Sequence, residues 1–262
     1  MGQRKIIFFD IDGTLCAFGG QVPESTKEAI RLLKEKGHIP VVCTGRPRCT
    51  VFSEITDMGF PGIIAGAGTY IEYEGRVIED RLLTREELQH ALDFLEEIHM
   101  PVLLEGSRYM CYDMTRNMEM EFPVLKRMKK EAPGALRPIT LEAEAGKMTV
   151  FLTDWELFKD RMDELSDFQS VIHYPKCIHA ELLPKGVSKA RGIETLLAHL
   201  GIPREDTYAF GDGPNDLEML QYVEYGVAMG NGDPGIIQAA KYKAKRIDED
   251  GIWESLKEFG LI

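Results

Sequence analysis

The chain has 262 residues, 44% hydrophobic and 28% charged, a balance that excludes disorder as the default state and suffices for one large or two modest domains. Thirty-one Lys and Arg against 43 Asp and Glu leave a formal charge of -12, which argues against nucleic acid as a partner; an anionic ligand has to be met by a metal ion or by local cations. No apolar run is long enough for a membrane span, and the opening MGQRKIIFFDIDG lacks a signal-peptide cleavage site, so a cytoplasmic protein is expected, with Cys16, Cys43, Cys49, Cys111 and Cys177 as reduced thiols.

Residues 5–10 form an apolar run that ends in acid, the pattern of a buried strand. The run opens the segment FFDIDGTL at residues 8–15. Asp10 and Asp12 are two apart and face the same way while the strand persists, and a hard cation would relieve their repulsion. Gly13 lets the chain leave the strand. Residues 25–36 show helical spacing at Ile30 and Leu33 and close on Gly37; residues 38–44 are a Val-rich strand. That strand runs into Thr44-Gly45-Arg46-Pro47. The Thr44 hydroxyl and the backbone N–H groups after it, from Gly45 on, suit phosphate oxygens at a helix N-terminus, and Arg46 is a candidate substrate contact. The same residues also read as a plain helix start, with the helix over 47–58 and Gly59 at its end. A short strand at 63–65 and a hairpin over 69–79, turning at Glu74-Gly75, complete the first third.

From about residue 83 to 183 the texture changes. Thr84 and Glu87 form a capping box that opens a helix with Leu88, Ala91, Leu92 and Leu95. Strand-like runs at 102–104, 108–112, 147–152 and 178–183 alternate with charged helical segments at 118–130 and 155–165. The Met residues at 110, 114, 118 and 120 read as adaptable packing, and Lys126-Arg127 with Lys129-Lys130 as a solvated face. His173 and His179 flank Cys177, but no second ligand pair makes a zinc site.

The last third returns to alternating strands and helices. Residues 188–200 place Ile193, Leu196, Leu197 and Leu200 on one stripe that Gly201 stops. Lys189 stands at the start of that helix, where a cation opposes the dipole, so a held anion would explain it; Lys185 is the alternative cation. A strand at 206–211 then delivers Asp212, a candidate metal ligand, followed by Asn215 and Asp216 in the first turn of a helix, where Asp216 also suits a cap. A strand at 225–229, a helix at 234–240, a short strand at 242–244 and a terminal helix around Trp253 follow.

Four strand ends thus present Asp10, Thr44, Lys189 and Asp212 in that order. In this the chain resembles the haloacid dehalogenase-type phosphatases, and more closely the Cof-like branch with a large inserted α/β cap. The resemblance implies a Rossmann-like, doubly wound parallel sheet built from residues 1–82 and 184–262, with 83–183 as a cap that sets substrate specificity. It implies Asp10 as nucleophile, Asp12 as acid and base, and Thr44, Lys189 and Asn215 as phosphate-holding groups. Mg2+ would sit between Asp10, the carbonyl of Asp12 and Asp212, with Asp216 in support. The expected activity is hydrolysis of small phosphate esters through an aspartyl phosphate. A phosphomutase on the same core, and a non-catalytic phosphometabolite binder, are the alternatives. One departure stands out: many Cof-like members carry Asn-Gly-Ala after the third strand, and here Gly66 replaces the Asn.

Overall fold

The computed structural model describes residues 4–17, 20–172 and 178–262, so His173 and Cys177 lie outside the described residues. The chain forms two compact units. The first comprises residues up to Arg46, Val51–Glu79 and Ser188–Ile262; the second comprises Pro47–Thr50 and Asp80–Val187.

The first stretch supplies β1 (Ile6–Phe9), α1 (Glu24–Glu35), β2 (Ile39–Cys43), α2 (Ser53–Thr56), β3 (Gly62–Ala65), β4 (Tyr70–Tyr73) and β5 (Arg76–Asp80). The middle supplies α3 (Arg85–Glu97), β6 (Val102–Glu105), β7 (Met110–Tyr112), α4 (Val124–Glu131), β8 (Leu136–Pro138), β9 (Lys147–Phe151), α5 (Trp155–Arg161), β10 (Phe168–Ile172) and β11 (His179–Pro184). The last stretch supplies α6 (Lys189–Leu200), β12 (Thr207–Gly211), α7 (Leu217–Tyr222), β13 (Tyr225–Ala228), α8 (Pro234–Ala239), β14 (Tyr242–Lys243) and α9 (Gly251–Glu258).

In the first unit the strand order is β14-β13-β12-β1-β2-β3-β4-β5. Pairing is parallel from β14 through to β3 and turns antiparallel at β4. The central strands β12, β1, β2 and β3 are buried at every position, and apolar at all but Thr207, because both faces are covered. Ile7 and Phe9 face a core shared with Ile30 and Leu33 of α1 and with Ile252 and Leu256 of α9. Ile6 and Phe8 face the opposite core, with Ile193 and Leu196 of α6, Met219 of α7 and Ile236 of α8. Helices on both faces of a mostly parallel sheet make the doubly wound α/β fold that was expected. The parallel order also collects the C-terminal ends of β1, β2 and β12 side by side, and so gathers residues distant in sequence.

The second unit has its own sheet, β10-β11-β9-β6-β7-β8, antiparallel except for the β7–β8 pair. Its core packs Leu88, Ala91 and Leu95 of α3 and Phe158 of α5 against Met148, Val150 and Leu182 of the sheet. The capping box forms as expected, with the Thr84 hydroxyl accepting from Glu87 N and the Glu87 carboxylate accepting from Thr84 N. Three expectations change. The helix over 47–58 is replaced by a single 3-10 turn, Arg48–Thr50, and the short α2, because Phe52 between them is extended. The helix over 118–130 starts only after Pro123, whose ring and missing N–H bar continuation from upstream. β8 and β10 were not anticipated: β8 is an edge strand containing Pro138, and β10 carries Gln169 and Ser170, which mask its apolar alternation. Among the described residues no helix is long and apolar enough to cross a membrane.

Candidate active site

Asp10 follows β1 directly, and its N–H donates to the Phe210 carbonyl at 3.0 Å, carrying the β1–β12 pairing one residue past the strand. The residue is 6% exposed, and its carboxylate meets the Lys189 ammonium, with Nζ 2.6 Å from Oδ1. Lys189 opens α6 and is buried; its Nζ also lies 2.6 Å from Asp216 Oδ1. The start of α6 is set by Ser188, whose hydroxyl accepts from Arg191 N, and by the turn Gly66–Gly68 against it. A Cβ on Gly68 would lie 2.3 Å from the Ser188 carbonyl oxygen, so only glycine permits that approach.

Asp216 has two duties. Oδ2 accepts the N–H groups of Asp212 and Gly213, each at 2.9 Å, which caps the turn Pro214–Asp216, while Oδ1 pairs with Lys189. Capping and site roles are thus combined in one carboxylate. Asp212 follows β12, and its Oδ1 accepts from the Thr14 hydroxyl at 3.0 Å. Gly13 has φ +87°, and a Cβ there would fall 2.1 Å from Asp212 Oδ2; the missing side chain is what lets the loop after β1 close on Asp212.

Asp10, Asp212 and Asp216 therefore offer carboxylate oxygens within 4.8 Å of one another, all buried. Burial pushes Asp10 well above the usual aspartate range, with Asp216 and Asp212 adding to the rise and Lys189 opposing it. Burial, then Asp216, pushes Asp212 up to about 7. Burial pulls on Lys189 in the other direction, but Asp10 and Asp216 overcome it and hold the ammonium well above its ordinary value. With all three carboxylates ionised, a single ammonium leaves two negative charges uncompensated, and the donors are all oxygen. That set fits a hard divalent cation such as Mg2+.

The carboxylate of Asp12 lies outside this cluster and is gripped by Arg46, with Nε 2.7 Å from Oδ2 and Nη2 2.6 Å from Oδ1. Arg46, the candidate substrate contact, thus pairs with Asp12. Thr44 is buried, its hydroxyl accepting Arg46 N at 3.1 Å and its carbonyl accepting Ala67 N at 2.9 Å. Gly45 and Asn215 are half-buried, Asn215 on the turn before α7. No α-helix starts at Thr44, since the next helical turn begins at Arg48 and is 3-10. Lys185 is exposed and belongs to the second unit, which leaves Lys189 as the buried cation.

Two supporting residues were missed. Thr14 lies inside the segment already singled out and is fully buried, a signal that its hydroxyl needs a partner. Asn231 donates from Nδ2 to the Gly13 carbonyl at 2.7 Å and accepts Ile247 N at 2.8 Å. Its only sequence mark is a small-residue loop, MGNGDP, at the end of β13. His179 sits between Phe122 and Phe151 with Nε2 2.6 Å from the Glu121 carbonyl, a packed strand residue.

A model of the haloacid dehalogenase-like hydrolases matches residues 7–256. YkrA of Bacillus subtilis (strain 168), which its name calls a phosphatase, is 32% identical over 99% of both chains. The 5-amino-6-(5-phospho-D-ribitylamino)uracil phosphatase YwtE of the same strain is 26% identical over 95% of both. Among solved structures, the HAD subclass IIB sugar phosphatase BT4131 matches with a TM-score of 0.84 and 31% identity, covering 98% of this chain and 100% of that one. With its doubly wound core and its lysine-bridged aspartates, the chain belongs to the haloacid dehalogenase-like hydrolases and is a phosphatase of their Cof-like branch.

Proposed function

We propose that the protein hydrolyses small phosphomonoesters through a phosphoryl group carried on Asp10. The observation that supports this most is the buried Lys189 ammonium, 2.6 Å from both Asp10 and Asp216: it fixes one oxygen of Asp10 and leaves the other for attack. In the first half-reaction a carboxylate oxygen of Asp10 bonds to phosphorus, the bond from phosphorus to the ester oxygen breaks, and Asp12 gives its proton to the departing alkoxide. In the second, Asp12 takes a proton from water, the water oxygen bonds to phosphorus, and the Asp10–phosphorus linkage breaks to release inorganic phosphate. Thr44, the Gly45 N–H and Asn215 are proposed to hold phosphoryl oxygens. Mg2+, held by Asp10, Asp212 and the Asp12 carbonyl with Asp216 in support, would supply charge neutralisation and alignment of the phosphoryl group.

For the substrate, phosphorylated polyols are the favoured class. BT4131 is a sugar phosphatase and YwtE a phosphatase of a phosphoribityl compound, and both names point to a phosphate ester of a hydroxyl-rich carbon skeleton. Selection among them is assigned to the second unit. Inorganic phosphate released from a panel of sugar and cofactor phosphates, with Mg2+ and again with EDTA, tests the proposal. Asp10→Asn should abolish turnover, and full activity in that variant would end the aspartyl-phosphate route.

A further inference from the structure

The pairing of Asp12 with Arg46 is built with more care than a surface ion pair needs. The two residues follow β1 and β2, adjacent parallel strands. Two near-parallel bonds, 2.7 Å from Nε to Oδ2 and 2.6 Å from Nη2 to Oδ1, fix the plane of the carboxylate as well as its position. Arg46 is itself held at both backbone ends. Its N–H donates to the Thr44 hydroxyl at 3.1 Å, and its carbonyl accepts the Gly66 N–H at 2.7 Å. Gly66 has φ +57°, and a Cβ there would lie 2.2 Å from Thr69 Oγ1. The turn that anchors Arg46 is therefore shaped around glycine, with the Thr69 hydroxyl filling the place of a side chain at 66. In this chain, then, residue 66 serves through its backbone, and the side chain reaching the acid–base carboxylate is that of Arg46.

We propose that Arg46 is a positioning residue that acts through Asp12: it sets the rotamer of the proton-transferring carboxylate and does not bind the phosphoryl group. This rests on the acid–base role proposed for Asp12. The distinguishing property is leaving-group chemistry. A sugar alkoxide needs a proton as it departs, whereas p-nitrophenolate is a stable anion and leaves without one. A residue that only aims Asp12 matters for the first and little for the second. A residue that binds the phosphoryl group matters equally for both.

The experiment compares kcat/KM, which covers the steps up to ester cleavage, for a sugar phosphate and for p-nitrophenyl phosphate in wild type, Arg46→Ala, Arg46→Lys and Asp12→Ala. Inhibition by inorganic phosphate is measured alongside. We expect Arg46→Ala to lower kcat/KM about 100-fold for the sugar phosphate and less than about 5-fold for p-nitrophenyl phosphate, in line with the usual worth of proton transfer. The inhibition constant for phosphate should stay put. Arg46→Lys should recover only part of the loss, because an ammonium cannot grip both oxygens. Both substrates are read in one sample, so any unfolded fraction cancels in their ratio. Equal losses on the two substrates overturn the proposal: with weaker phosphate inhibition Arg46 is a phosphate ligand, and with unchanged inhibition it is a structural residue. If Asp12→Ala also fails to separate the substrates while wild type is active, the acid–base reading of Asp12 is what has failed, and the role of Arg46 falls with it.

Discussion

Lys189 carries a buried charge at the end of α6 where the helix dipole opposes it, so its place depends on Asp10 and Asp216. Removing one partner of a buried pair leaves an uncompensated charge, a change that costs roughly 3–5 kcal/mol. Lys189→Met keeps the volume and deletes the ammonium. We expect it to lower kcat by at least about 100-fold, on the scale of a lost electrostatic stabiliser, and to lower the urea midpoint of the metal-free protein. The aspartates make a second prediction at the same scale. The folded value of Asp212 is raised from 3.8 to about 7, and Asp10 moves in the same direction. For an acid whose folded value is raised, the favourable contribution is complete below the unfolded value and is lost as pH climbs through the folded one. In EDTA the Tm should therefore fall between about pH 4 and pH 7, and Mg2+ should remove the decline; calorimetry across that window checks it. A Tm that stays level or rises with pH in EDTA would contradict the charge arrangement described here.

At the scale of elements, β9 carries a buried charge row that no step of the proposed reaction uses. Lys147 lies 3.0 Å from Glu105 on β6 and 2.7 Å from Glu181 on β11, and all three are largely buried. The Thr149 hydroxyl, also on β9, donates to Glu105. Burial raises Glu105 in spite of Lys147, the mark of a carboxylate whose partner only partly offsets its loss of water. Lys147→Ala should cost about 3–5 kcal/mol in urea unfolding. The triple change Lys147→Met, Glu105→Leu, Glu181→Leu should recover most of that, because apolar replacements leave no unpaired charge. If the single variant costs less than about 1 kcal/mol, the row is acting as a weak, solvated pair. Sequence pattern reveals such a row poorly. Glu105, Lys147 and Glu181 lie far apart in sequence, and only the register that brings β6, β9 and β11 together shows them to be one group. The core strands were legible for the opposite reason: β1 and β2 are buried on both faces and show as unbroken apolar runs, and β12 departs from that only at the buried Thr207. The ends of those strands were legible too, since acid or hydroxyl straight after such a run is costly unless it has work to do, whereas Lys189 stood out by opening α6 against the helix dipole. Asn231 was not, because a loop asparagine bonding to backbone looks like any other turn residue.

At the scale of the whole molecule, two units with separate hydrophobic cores are threaded on one chain that leaves the first briefly at Pro47–Thr50, leaves it again after Glu79 and returns to it at Ser188. The chain has two tryptophans, Trp155 on α5 in the second unit and Trp253 on α9 in the first, so each unit has its own fluorescent reporter. The candidate metal ligands Asp10, Asp212 and Asp216 all belong to the first unit. A ligand stabilises the unit that binds it, by about 2.7 kcal/mol at a hundred times its Kd, and a chain of two domains need not unfold in one step. Trp155→Phe leaves Trp253 to report the first unit, and Trp253→Phe leaves Trp155 to report the second. Saturating Mg2+ should raise the urea midpoint seen by Trp253 and leave that seen by Trp155 within error. The rise should grow between pH 6 and pH 8, because protons compete with the cation for Asp212, whose value lies at about 7. An equal shift at both reporters would mean that the two units unfold as one, and a shift at Trp155 alone would place the cation in the second unit, away from the aspartates.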